Sequence, residues 1–216
     1  MPTIDEITIA DEPSRWAALG FDVDGEECRL AGITLRLTGE ADGAGITGWS
    51  LRELAGTDLD GLPTEVSERP AQPPELPHPN GVISIDHVVA VSPCFDRSVE
   101  LLRAAGLDLR RVREEPTPAG APRQAFFRLG REILEMVAEP EEIVARKGGP
   151  ERPVRFWGLA LLVEDIDETV AAMAPHAPPP RQAVQPGRRI STVARSAGLA
   201  VPIALITREQ DRSATG

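Results

Sequence analysis

Apolar residues along this chain fall into short runs of β-branched and aliphatic positions, each followed by a turn and a helix-like spacing. Three stretches open alike: TIDEITIADEP from Thr3, SIDHVVAVSPC from Ser84 and FWGLALLVEDI from Phe156. Each opening reads as a strand. After the second, FDRSVELLRAAGL sets Val99, Leu102, Ala105 and Gly106 on one side of a helix that Gly106 stops. After the third, Asp165 or Asp167 caps a helix that the prolines of HAPPP end. The first has only EPSRWAALGF, at best a short helix. Strand-like runs then return: ECRLAGITLRLTG and GITGWSLREL in the first unit, RQAFFRLG and EILEMVAEP in the second, RRISTVARS and VPIALIT in the third. Strong β formers joined by glycine-containing turns predict antiparallel hairpins. The fold class is therefore α+β, a repeated module of strand, helix and further strands whose sheet has an apolar face it cannot cover alone.

The same pattern sets the expected organisation. A first module occupies residues 1–55, a proline- and acid-rich linker 56–81, and a domain of two modules (82–140 and 154–208) the remainder, with a polar tail at 209–216. RRVRE, Arg110 to Glu114, reads as the solvent side of an edge strand guarded by charge. Trp16 and Trp49 read as core, and His78 and His176, both beside prolines, as solvated.

Composition narrows the function. With 41% hydrophobic and 26% charged residues the chain is globular, and no apolar run reaches the length of a spanning helix. Lys+Arg 23 against Asp+Glu 34 leaves a net charge of -11, which repels phosphate backbones and anionic lipid; neither nucleic acid nor membrane is an expected partner. A cytoplasmic location and a neutral or cationic small-molecule ligand follow as expectations. Cys28 and Cys94 lack the spacing of a zinc cluster or a disulfide framework. No P-loop, dinucleotide fingerprint, HExxH or serine elbow is present.

Three constellations carry candidate chemistry. Strand alternation sets His87, Val89 and Val91 on one face and Ile133, Glu135 and Val137 on another; if both faces are concave, His87 and Glu135 share a cavity. Without a metal, His87 is a candidate general acid or base with Glu135 beside it. In RQAFFRLG, Gln124, Phe126 and Arg128 share a face and are candidate ligand-wall residues, as a core strand with snorkelling arginines is the alternative. Arg188 and Arg189 after the Gln185-Pro186-Gly187 turn are a candidate clamp for a carboxylate, or a solvated turn.

The stretch from Ile83 to Thr207 resembles the vicinal oxygen chelate superfamily of glyoxalases, bleomycin-resistance proteins and extradiol dioxygenases. IDHVVAVSPCFDRSV is similar to that family's first strand and helix start, ILEMVAEP to its final strand, and FWGLALLVEDIDETV through VPIALIT to the partner module. The resemblance implies βαβββ modules paired into a cupped sheet around a small-molecule site. It also implies metal ligands on the first and last strands of each module, which His87 and Glu135 match. At the partner positions stand Gly158 and Ala204, which cannot coordinate a cation. Trp157 lies beside the vacated position as a candidate ligand contact. The expectation is thus a small-molecule binder or metal-free activity with no cofactor. The alternative is a divalent-metal lyase, isomerase or dioxygenase acting on a small carbonyl or hydroxy compound. Since the first module has no partner within the chain, two chains are expected to pair their first modules in a homodimer.

Overall fold

A computed structural model describes residues 1–40, 43–117 and 120–208. The expected polar tail, 209–216, lies outside the described residues. Among those described, no helix is long and apolar enough to cross a membrane.

The chain forms two mixed sheets with short helices, the α+β class expected. The C-terminal sheet holds the paired modules. The first contains β6 (Val82–Ser92), α2 (Phe95–Ala104), β7 (Asp108–Arg113), β8 (Gln124–Leu129) and β9 (Glu132–Ala138). After α3 (Glu141–Arg146), the second contains β10 (Arg155–Val163), α4 (Ile166–Ala172), β11 (Arg181–Gln182), β12 (Arg189–Thr192) and β13 (Ile203–Thr207). The order is β11-β12-β13-β10-β6-β9-β8-β7, with β6 parallel to β9, β10 parallel to β13, and the two modules joined antiparallel through β6 and β10. Local signals act as the sequence suggests. Asp165 accepts from the amides of Asp167 and Glu168 at 2.8 and 3.1 Å and caps α4, while Gly106 follows α2 at φ +94°. The arginine-rich β7 is one edge of the sheet and β11 the other.

The N-terminal sheet contains β1 (Thr3–Ala10), α1 (Pro13–Ala18), β2 (Glu27–Leu30), β3 (Ile33–Leu37), β4 (Gly45–Arg52) and β5 (Thr64–Val66), ordered β2-β3-β1-β4-β5. Here β3, not β4, runs parallel to β1, so this unit is one strand shorter than the others. The strand β4 lies antiparallel to β1, where a partner module's first strand would lie, and β5 runs parallel to β4. The sheet is thus a reduced double module completed within one chain. The unpaired edge that motivated a homodimer is covered by the chain's own β4.

Residues 56–81 are correspondingly more than a linker. They supply β5, bury Leu59 and Leu62, and place Asp60 where Arg97 donates at 2.9 Å and Ser98 at 2.5 Å. His78, expected to be solvated, is instead buried and satisfied: its Nδ1 accepts from the Asp22 amide and its Nε2 donates to the Arg29 carbonyl, both at 2.9 Å. His176 is half-buried, with Nδ1 3.2 Å from the Ser196 hydroxyl. Burial lowers the pKa of His78, against the weaker opposing pull of Arg29, Asp22 and Glu75. Protons then bind the unfolded state more readily, so the stability this residue confers is complete above about pH 6.5 and is lost as pH falls through its lower folded value. The urea midpoint is expected to drop between pH 7.5 and 5.5, and a His78→Gln chain to lose most of that dependence.

The sheets share one apolar core. Trp49 of β4 meets Phe156 of β10 edge to face at 5.1 Å, and Trp16 packs on Phe21 at 4.9 Å. Buried Asp11 accepts from Trp16 Nε1 at 3.4 Å and from the Ala200 amide at 2.8 Å, tying the two units together. With their apolar faces turned to this core, the sheets direct their other faces outward. Both cysteines are free thiols.

Candidate active site

The outward face of the C-terminal sheet encloses a cavity of about 540 Å³. His87, Val89 and Val91 of β6 and Glu135 and Val137 of β9 line it, while Val88, Ala90, Leu134 and Met136 turn into the core. Strand alternation alone places the two candidate groups together, because the parallel register sets His87 beside Ile133 and Val89 beside Glu135. His87 Nε2 stands 3.2 Å from Glu135 Oε2. The other carboxylate oxygen of Glu135 accepts a short hydrogen bond from the Gln124 amide on β8.

The far side of the imidazole is held by a residue the sequence reading passed over. Across β10, Ile85 pairs with Leu161 and His87 with Ala160, which leaves Asp86 without a partner. Such a bulge re-aims the side chains around it. Asp86 Oδ2 consequently lies 2.7 Å from His87 Nδ1, and its carboxylate also accepts from Arg188 at 2.5 and 3.4 Å. Burial pushes the Asp86 carboxyl up, but the hydrogen bonds and charges of His87 and Arg188 outweigh burial and hold it below the usual carboxylate range. An ionised Asp86 can only accept, so Nδ1 carries a proton and Nε2 is the ring nitrogen that faces the Glu135 carboxylate. Arg188, Asp86, His87, Glu135 and Gln124 form one polar chain, of which His87, Glu135 and Gln124 line the cavity.

Other expected residues fall less simply. Trp157 lines the cavity. Phe126 and Arg128 pair with Glu135 and Ile133 and so share the concave face, but lie outside the cavity lining; Arg128 donates to the Arg131 carbonyl at 3.3 Å. The arginine clamp is not formed. Arg188 is spent on Asp86, on Gln185 at 2.8 Å and on the Thr207 carbonyl at 2.6 Å, while Arg189 pairs with Asp167 on the surface. A buried guanidinium with that many acceptors has no fork left for a ligand.

Register also tests the metal reading. Ala160 pairs with Ala204 as Val89 pairs with Glu135, and Gly158 precedes Ala160 as His87 precedes Val89. Gly158 and Ala204 are therefore the equivalents of His87 and Glu135, and neither offers a donor. Among the described residues no group of three or more His, Cys, Asp and Glu side chains converges to hold a metal ion. Two donors do not make the set that octahedral divalent cations require, so the side chains present do not fit a resident metal.

The N-terminal sheet repeats the geometry with other chemistry. Asp5 is unpaired between Ile4↔Leu51 and Glu6↔Ser50, just as Asp86 is, and Thr47 is unpaired just as Trp157 is. Thr8 pairs with Arg36 as Val89 pairs with Glu135. Glu6 and Arg36 thus stand at the places of His87 and Glu135, and they bind each other at 3.0 and 2.9 Å. Burial raises the Glu6 carboxyl, yet Arg36 and Arg69 together hold it low. This cup also holds a cavity, of about 600 Å³, which Glu6, Thr8, Thr47, Trp49 and Arg69 line, with the Glu6 carboxylate engaged by Arg36 and Arg69.

A scan against protein-family models finds no match, and no curated protein matches by sequence. Among solved structures, a xylose isomerase-like TIM barrel/4-hydroxyphenylpyruvate dioxygenase fusion protein is similar over 99% of this chain, with a TM-score of 0.63 at 13% identity. The chain has the vicinal oxygen chelate fold. It spans 50% of the length of that fusion protein. A methylmalonyl-CoA epimerase from Mycobacterium tuberculosis is similar over 59% of this chain and 89% of its own, at 20% identity and a TM-score of 0.47. A Streptomyces coelicolor methylmalonyl-CoA epimerase in complex with 2-nitronate-propionyl-CoA covers 58% of this chain and 97% of its own, at 21% identity and a TM-score of 0.46. At these identities the likeness is one of fold, which hosts unrelated chemistries.

Proposed function

We propose that this chain binds a small organic molecule in the C-terminal cup and moves a proton on it by general acid–base catalysis. In this reading His87 and Glu135 are the catalytic pair, and Gln124 and Asp86 position them. The observation that carries it is the 3.2 Å approach of His87 Nε2 to Glu135 Oε2 at the cavity floor, with Nδ1 held on the opposite side by Asp86. An imidazole beside a carboxylate can give a proton to, or take one from, a carbon next to a carbonyl, and apolar walls weaken the competition from water. Binding needs no cofactor here, because the polar chain supplies both the acceptor and the donor.

The experiment incubates the protein in D₂O with a panel of small 2-oxo acids, 2-hydroxy ketones and thioesters, and reads deuterium entry beside the carbonyl by proton NMR. Exchange that persists after dialysis against chelator, in protein whose elemental analysis shows no stoichiometric divalent metal, is the expected result. Exchange that vanishes with chelator and returns with one equivalent of divalent metal would overturn the metal-free mechanism. Saturable binding with no exchange across the panel would leave a binding protein and remove the catalytic reading.

A further inference from the structure

The mouth of the same cavity holds features that proton transfer does not use. Trp157 and Val184 are 53% and 52% exposed, and both line the cavity. Large apolar side chains left open in one concave place mark a surface that a ligand covers. Arg181 lines the same mouth, on β11 and three residues before Val184. The other charged groups of the lining are engaged. Glu139 is ringed by Arg152, by Lys147 at 3.3 Å and by Arg155 at 3.6 Å, and Glu135 faces Gln124 and His87. Among the described residues no carboxylate lies within ion-pair distance of Arg181.

We propose that the ligand is an organic carboxylate with a flat apolar body, which lies against the Trp157 indole and Val184 while its carboxylate is held by Arg181. This rests on the cavity being the ligand site advanced above and names the class of molecule it takes. A guanidinium fork matches a carboxylate in two parallel hydrogen bonds, and an indole face favours a planar partner. A cavity of about 540 Å³ suits a small molecule, not a peptide. The sign is opposite to that suggested by the chain's net charge of -11, because the groups at the mouth, and not the whole surface, set what is bound.

Indole N–H signals in a ¹H–¹⁵N spectrum provide the test. The chain has three tryptophans, and Trp16 and Trp49 are buried with Nε1 donated to Asp11 and to Thr64 at 3.4 and 2.8 Å, so they act as internal references. A Trp157→Phe chain assigns the third signal. Phenylacetate, 2-phenylethylamine and acetate are titrated separately as probes. Phenylacetate is expected to move the Trp157 signal saturably and leave the other two in place, and Arg181→Gln to weaken it by at least about tenfold, the loss of one charge-assisted contact. The amine and acetate are expected to shift nothing at the same concentrations. Absence of phenylacetate binding, equal binding of the amine, or indifference to Arg181→Gln would each overturn the inference. A His87→Ala chain separates the two readings: phenylacetate binding that survives there without proton exchange belongs to ligand class alone, and exchange that persists in wild-type protein with no carboxylate preference sinks only the class.

Discussion

His87→Ala is expected to slow proton exchange by about 10²–10⁴-fold, the usual contribution of a positioned acid or base. It is expected to leave the thermal midpoint almost unchanged. The imidazole belongs to the cavity floor and not to the core: its side chain is 19% exposed, and its neighbours on the same face line the cavity. Glu135→Gln should lose as much activity, because an amide cannot take up or give a proton, yet it can still accept from Gln124 and so keeps the floor intact. Asp86→Asn is a different change. Asp86 lies outside the cavity lining and bonds the far side of the His87 ring, so in the proposed mechanism kcat is expected to fall with KM preserved, and Asp86→Glu to recover part of it. Circular dichroism and a melting curve on each chain separate these outcomes from misfolding. Equal kcat in wild-type and His87→Ala protein would remove His87 from the mechanism.

Gly158→His, which would place a third donor at the position equivalent to His87, is expected instead to destabilise the protein. A Cβ at Gly158 would sit 2.6 Å from the Pro202 carbonyl oxygen and 3.3 Å from Pro202 Cβ, closer than a backbone atom can yield without moving β13 away from β10. That carbonyl also accepts the Leu159 amide at 3.0 Å, so relieving the clash breaks a bond between the parallel strands. Overpacking of this kind costs about 1–3 kcal/mol. A chain of this size loses about 2–4 °C of midpoint per kcal/mol, which calorimetry reads directly. Ala204 already carries a Cβ, so Ala204→Glu adds no such clash at the backbone and serves as the comparison. A Gly158→His chain that melts like wild type and binds one equivalent of zinc would show that the backbone does not foreclose the cage.

Much of this arrangement was legible in the sequence, and for identifiable reasons. Module repetition showed in the alternating runs because burial on one face imposes a period of two. The same alternation put His87 and Glu135 in one cavity. The vacant positions at Gly158 and Ala204 followed from matching the repeats, and the parallel registers place them where that matching does. Asp86 was missed because alternation assigns it to the opposite face, and a bulge is a tertiary event that overrides alternation. A signal was available in the shared Ile-Asp preceding both Glu6 and His87. Residues 56–81 read as linker because proline and acid dominate them, yet a three-residue strand needs no periodicity to add to an existing edge. Arg188 read as a ligand clamp because its acceptor lies a hundred residues away in sequence and becomes its neighbour only on folding.

The ion pair between Glu6 and Arg36 has a consequence for how the two halves of this molecule are free to change. In the proposed reading the C-terminal half must keep His87 and Glu135 for its ligand, whereas the matching places of the N-terminal half are held by charge pairing with each other. Any pair of side chains that neutralise each other, or that are jointly apolar, would satisfy the strands there. A library randomised at both places and selected for solubility should return covarying partners of opposite charge or matched bulk, with histidine beside glutamate no commoner than chance.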